Sequence, residues 1–282
     1  MNIWYAKRRV LVFIGALVVL LSAGPALAAG PQIKILLVPG HDNETVGAQY
    51  RFTTEASMNL DLATRLYDIL RKDKRFEVHI TRDQEGYTKE FADYFAQNEE
   101  AIIDWENKAK EEFNKKIDQG TLTLRSAVPH HTVADDVALK LYGINKWANE
   151  NKMDAVIHIH FNDYPRPDAW TIGTYTGFVI YFPDGQMENF LPSSQLAGRI
   201  YIELEKKYHT STYPPELGGL IADQKLIAMG SYGTLAPSVR TVLVEYGYIY
   251  EKMFRKSSTR EAAIKTMAEL TATGIQKYFP KQ

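Results

Sequence analysis

Three apolar runs, each too short for a helix and each closed by a residue that can carry chemistry, constrain this chain more than anything else in it. Residues 33–38 lead into Pro39-Gly40-His41, residues 154–159 lead into His160, and residues 241–244 end at Glu245. Between them lie segments with helical spacing. In residues 55–72, Leu60, Ala63, Leu66, Ile69 and Leu70 form an apolar stripe, and residues 134–151 predict a second helix. Residues 76–80 alternate as a strand does, and residues 177–182 form another apolar run. Ser193 or Ser194 is expected to cap a helix reaching about residue 207, and a weaker strand is expected near 221–228. A last helix over 259–278 places Ala263, Met267, Leu270, Gly274 and Tyr278 on one face. Strands alternating with helices of this length predict an α/β fold: a three-layer αβα arrangement around a mainly parallel sheet of about six strands.

In such a sheet, groups at the carboxyl ends of strands converge on one crevice. His41, His160 and Glu245 all occupy strand ends, and Glu55 stands where Thr53-Thr54 would open a helix. Each has a plainer explanation. A histidine after Pro-Gly is usually a turn residue, and a glutamate at a helix start is favoured by the helix dipole. His158 and His160, two apart, share one strand face. His160, nearer the strand's end and followed by Asn162 and Asp163, is the better ligand, which leaves His158 a packing or supporting role. Glu245 interrupts an apolar strand, and an unpaired buried carboxylate is costly, so it needs a partner or a task. Two imidazoles and one carboxylate make a catalytic zinc ligand set with an open position, and a further carboxylate can act as base.

The 282 residues contain no cysteine, so thiolate and disulfide chemistry are excluded and any metal must be held by histidine and carboxylate. Lys7, Arg8 and Arg9 precede an apolar stretch over residues 10–21, followed by Gly24-Pro25 and Ala26-Leu27-Ala28. This pattern predicts a signal peptide over residues 1–28 cleaved after Ala28, with an uncleaved anchor over residues 10–29 as the alternative. Export would place residues 29–282, a single catalytic domain, in the periplasm or the extracellular cell-wall space. Three of the 33 lysines and arginines fall in the leader, and the 30 that remain face 34 acids. A mildly acidic chain argues against a nucleic-acid partner. Residues 84–133 form an insertion whose middle repeats Phe91, Phe95, Ile102, Ala109, Phe113 and Ile117 at near-helical spacing. A helix from 90 to 118 would be about 40 Å long. It is expected to be an extra packed helix, with a lid over the cleft as the alternative.

From Ile35 onward the chain resembles the zinc-dependent N-acetylmuramoyl-L-alanine amidases of the catalytic family amidase 3. Val38-Pro39-Gly40-His41 is similar to that family's opening motif, and Glu55 with Asn59-Leu60 to the helix that bears its carboxylate ligand. Thr81-Arg82 is similar to the end of its second strand, and residues 157–162 to its second histidine motif. Ser194-Gln195-Leu196-Ala197 resembles a later helix start, and residues 242–248 the motif carrying the catalytic glutamate. The resemblance implies that His41, Glu55 and His160 bind Zn2+, that Glu245 is the general base, and that the substrate is peptidoglycan. The bond cut would join N-acetylmuramic acid to L-alanine of the stem peptide. Three departures stand out: Asp42-Asn43-Glu44 replace the glycines usual after the first histidine, and Ile144 and Ala228 stand where arginines are expected. Two other readings remain, a zinc peptidase of carboxypeptidase type and a non-catalytic envelope-binding protein.

Overall fold

The computed structural model describes residues 31–125 and 133–280. The expected leader, residues 1–28, lies outside the described residues. In chain order the elements are β1 (Ile33–Pro39), β2 (Gln49–Tyr50), β3 (Thr53–Thr54), α1 (Glu55–Leu70), β4 (Phe76–Ile80), α2 (Lys89–Asp118), α3 (Asp135–Glu150), β5 (Ala155–Asn162), β6 (Val179–Pro183), α4 (Phe190–Leu204), β7 (Leu220–Asp223), β8 (Arg240–Tyr248) and α5 (Ser257–Tyr278). The main sheet has the order β4-β1-β5-β8-β6-β7, and β2 pairs with β3 in a separate small hairpin. Strands β4, β1, β5 and β8 are mutually parallel, whereas β6 runs antiparallel to β8 and carries β7 parallel to itself. The expected mainly parallel sheet is present.

Alternate residues of each strand feed opposite layers, as the two-residue period of a strand requires. Ile35 and Leu37 of β1 join Ala155, Ile157, Val242 and Val244 in a core closed by Leu62 and Leu66 of α1, Leu196 and Ile200 of α4, and Ile264 and Met267 of α5. Leu36, Val38 and Val156 face the other way, onto Phe91 of α2 and Ile144 and Trp147 of α3. The central strands are therefore buried on both faces, which is why their sequences read as unbroken apolar runs. None of the described helices is long and apolar enough to cross a membrane.

Two boundaries depart from expectation. Helix α4 starts at Phe190, so neither Ser193 nor Ser194 caps it. Pro192 is tolerated inside because the N–H groups of a first turn have no intrahelical acceptor. Ser193 is instead buried, its Oγ accepting the Thr241 N–H at 3.0 Å and tying α4 to β8. The weak strand is shorter than expected: β7 ends at Asp223, whose Oδ1 receives the Lys225 and Leu226 N–H groups and turns the chain into a 3-10 turn at Ile227–Met229.

Helix α2 matches the expected span and bends at Asn98, whose backbone is non-helical and whose side chain donates to Tyr94 O. Its stripe is committed to packing. Phe91, Ile102 and Phe113 are buried, and Gly143 of α3 admits the Phe95 ring so closely that a Cβ there would lie 2.9 Å from it. Ile102→Ala should therefore destabilise the protein by about 2–5 kcal/mol, the usual cost of emptying a buried isoleucine site. Denaturant unfolding measures this. An unchanged midpoint together with raised activity would mean that α2 is a lid after all.

Candidate metal centre

At the end of β1 the ladder continues through Gly40, whose N–H donates to Ile159 O at 2.9 Å, and the chain then reverses at His41. His41 has a φ of 61°, a left-handed conformation rare outside glycine and costly for a histidine, so the surroundings must hold it there. Much of that restraint comes from Asp42, buried where the resembling family carries glycine. Its Oδ1 accepts the Glu44 and Thr45 N–H groups at 2.9 and 2.7 Å, and its Oδ2 lies 3.4 Å from Lys140 Nζ. The hydrogen bonds from Thr45 and Glu44 outweigh burial and hold the Asp42 carboxyl below its ordinary range. The buried Arg82 clamps the same turn, donating to Pro39 O, Gly40 O and, at 2.6 Å, Ala56 O. The β1 turn and the start of α1 are thus one unit.

Glu55 opens α1 behind Thr54, whose hydroxyl accepts the Ser57 N–H. Its carboxylate is buried between two imidazoles: Oε1 accepts from His160 Nδ1 at 2.9 Å, and Oε2 lies 3.1 Å from His41 Nε2. The Ala48 N–H at 3.0 Å and the Phe161 N–H at 3.3 Å complete its shell. Burial alone would raise its pKa, but the hydrogen bonds and charges of the two histidines hold it far below the usual carboxylate range. For His160, burial wins and favours the neutral ring; for His41, the bond to Glu55 outweighs burial and raises the pKa. The two rings meet edge to face, 5.3 Å between centroids.

Two glycines make room for this cluster. A Cβ on Gly40 would fall 2.1 Å from the His160 ring. One on Gly47, which has a φ of +69°, would fall 2.5 Å from both Glu55 Oε2 and His41 Cδ2. His41, Glu55 and His160 together offer three ligand atoms, all within 4.8 Å of one another. A tetrahedral site with bonds of about 2.1 Å has edges of roughly 3.4 Å, so small side-chain movements close the set onto an ion. Neutral imidazole nitrogens and a carboxylate oxygen are suitable donors for such a cation.

Glu245 lies directly beside His160, its register partner on the neighbouring strand. Its Oε2 is buried with no hydrogen-bond partner among the described residues. Burial, reinforced by the charges of Glu55 and Glu216, pushes its pKa well above the ordinary carboxylate value. His158 is not part of the cluster: it is buried, and burial depresses its pKa to about 3, keeping it neutral. All four expected residues line one cleft of about 660 Å³, together with Tyr164, Tyr181, Tyr213 and Glu216. None of the lining residues comes from α2.

Glu216 is the residue that sequence reading missed. It sits in the 3-10 turn Pro214–Glu216, inside a Tyr-Pro-Pro-Glu loop with no strand end to mark it. Its buried carboxylate accepts from Asn162 Nδ2 and the Tyr181 hydroxyl, both at 2.9 Å, from the Tyr248 hydroxyl at 3.0 Å, and from Ser211. Ile144 and Ala228, where arginines were expected, lie in apolar clusters. Gly47→Ala should weaken divalent-metal affinity at least about tenfold by crowding both Glu55 and His41. Calorimetric titration of the metal-stripped protein checks this; wild-type affinity would mean that the ion is held elsewhere.

A profile described as N-acetylmuramoyl-L-alanine amidase matches residues 35–277. Among solved structures, the chain is similar to the amidase Ami1 of Mycobacterium smegmatis, with a TM-score of 0.56, 15% identity, and coverage of 89% of this chain and 98% of that one. It is also similar to the Clostridioides difficile amidase CwlD, solved in complex with the GerS lipoprotein (TM-score 0.56, 16% identity, 88% and 98% covered). A third is the amidase AmiC2 of Nostoc punctiforme (TM-score 0.52, 17% identity, 90% and 100% covered). A comparison with curated proteins finds no match.

Proposed function

The chain belongs to the N-acetylmuramoyl-L-alanine amidase family, and from that premise we propose that it is a zinc hydrolase releasing stem peptides from peptidoglycan. The observation that carries the proposal is the convergence of His41, Glu55 and His160 on one point, with Glu245 beside them, its buried Oε2 free of any hydrogen bond among the described residues. The bond cut would be the amide between the lactyl group of N-acetylmuramic acid and L-alanine. We also assign residues 1–28 as the leader that exports the chain to the cell-wall compartment, and residues 29–282 as one catalytic domain with its insertion near 84–133.

His41, Glu55 and His160 would hold the ion. The single negative charge of Glu55 offsets part of the cation's charge, and the two histidines supply neutral nitrogens. Zinc, when bound, contributes Lewis acidity toward the scissile carbonyl and makes water more acidic. Glu245 takes the proton of the attacking water as its oxygen joins the lactyl carbon. It then delivers that proton to the alanine nitrogen as the carbon–nitrogen bond breaks. A carboxylate held above its ordinary pKa suits this double duty, because a base must also serve as an acid near neutral pH. The backbone clamp by Arg82 and the glycines at 40 and 47 keep the ligand residues in place while this happens.

Zinc-loaded protein should release free stems bearing L-alanine amino termini from purified sacculi, and chelation should stop the release. Shortened stems still attached to glycan would indicate a peptidase instead. Intact sacculi, under conditions where another amidase digests them, would contradict the proposal. Glu245→Gln should retain its zinc while losing about 100- to 10,000-fold in kcat, the usual loss of a general base. Undiminished turnover would remove Glu245 from that role.

A further inference from the structure

Phe52 is 90% exposed, at the tip of the β2–β3 hairpin, and Trp170, on the loop after β5, is 57% exposed. Their rings meet edge to face at 5.4 Å. Arg51 joins them, its guanidinium 5.8 Å from the Trp170 ring and 5.4 Å from that of Tyr50. An aromatic ring left in water adds nothing to the core, yet the backbone that carries these residues is tied down by hydrogen bonds. The Arg51 N–H donates to Ala169 O at 2.9 Å and ties the hairpin to the loop. Arg166, its side chain almost wholly buried, donates to Gln49 O and Thr171 O at 2.8 Å each and to both oxygens of Asp163 at 2.8 Å. Asp168 accepts the Trp170 and Thr171 N–H groups at 2.8 and 2.9 Å. The exposed rings stand on a braced base.

The position of this base matters. The hairpin runs directly into Glu55, three residues beyond Phe52, so the two Cα atoms are at most about 11 Å apart. The loop leaves from the end of the strand that carries His160, and its first residues, Asp163, Tyr164 and Pro165, line the cleft. The same structural pieces that place the candidate ligands therefore carry the exposed rings.

We propose that Phe52, Trp170 and Arg51 form a glycan subsite that binds sugar residues flanking the muramate whose amide is cut. This rests on the amidase reading above. Pyranose rings present C–H faces that stack on aromatic rings, and their hydroxyl and acetamido oxygens accept from a guanidinium. A backbone already braced under the rings leaves less chain entropy to be lost on binding. A membrane surface is the poorer fit, since stable adhesion of so small an apolar patch needs a cluster of basic residues. This one has Arg51, and its neighbouring Arg166 is neutralised by Asp163.

The first test titrates zinc-loaded Glu245→Gln protein with peptide-free strands of alternating N-acetylglucosamine and N-acetylmuramic acid. Adding Trp170→Ala should weaken binding about tenfold, whereas Trp170→Tyr should restore most of it. In the otherwise wild-type enzyme, Trp170→Ala or Phe52→Ala should lower the ratio of kcat/KM on glycan chains to kcat/KM on muramyl dipeptide by a similar factor. Equal losses on both substrates would make the platform merely structural and overturn the proposal, as would unchanged glycan affinity in both variants. Loss of binding to phosphatidylglycerol vesicles with glycan binding intact would overturn it in favour of a membrane contact. Should the wild-type chain cleave neither substrate yet bind glycan through Trp170, the subsite stands and the amidase reading falls.

Discussion

One buried carboxylate holds the architecture of the site together. Glu55 receives two imidazoles, one from the turn after β1 and one from β5, and two backbone N–H groups. Removing either imidazole would leave a charge in a low-dielectric pocket with fewer partners, a situation that proteins rarely tolerate. The sheet register places His160 and Glu245 side by side, and helix α1 delivers Glu55 from the adjoining layer. The strained backbone at His41 is the cost of bringing a third element to the same point, and Asp42, Arg82 and Lys140 hold that turn in place.

The arrangement separates the roles of four carboxylates by environment. Glu55, between donors, stays ionised. Glu245, in the same cleft with an Oε2 that has no hydrogen-bond partner among the described residues, is pushed toward protonation by burial and by the charges of Glu55 and Glu216. Glu216 is held by hydroxyl and amide donors from Asn162, Tyr181 and Tyr248 and lines the same cleft as Glu245. Asp42, further out, spends its oxygens on the backbone and on Lys140. Environment, more than residue type, sets these carboxylates apart here and fits the proposed division into ligand, base and scaffold.

Much of this was legible in the sequence because strand ends announce themselves. Apolar runs stopping at His41, His160 and Glu245 could hardly be helices, and Thr54 before Glu55 marked a helix start; both inferences follow from local periodicity and capping chemistry. Other features were illegible for physical reasons. Glu216 acts from a loop, where no period indicates direction, and its donors come from residues 162, 181, 211 and 248. Helix α4 begins before its serines because a proline fits its first turn, and Ser193 was needed to hold β8. The exposed pair of Phe52 and Trp170 unites residues 118 positions apart through the Arg51–Ala169 backbone hydrogen bond and the Arg166 side chain, neither of which follows a local periodicity.

The central claim is that two imidazoles and one carboxylate grip a single divalent ion. A zinc K-edge absorption spectrum of the zinc-loaded protein tests it most directly. The account predicts one zinc per chain with two histidine nitrogens and a carboxylate oxygen at about 2.0–2.2 Å, the ordinary range for such ligands. Zinc present well below stoichiometry, or bound without imidazole scattering, would contradict it.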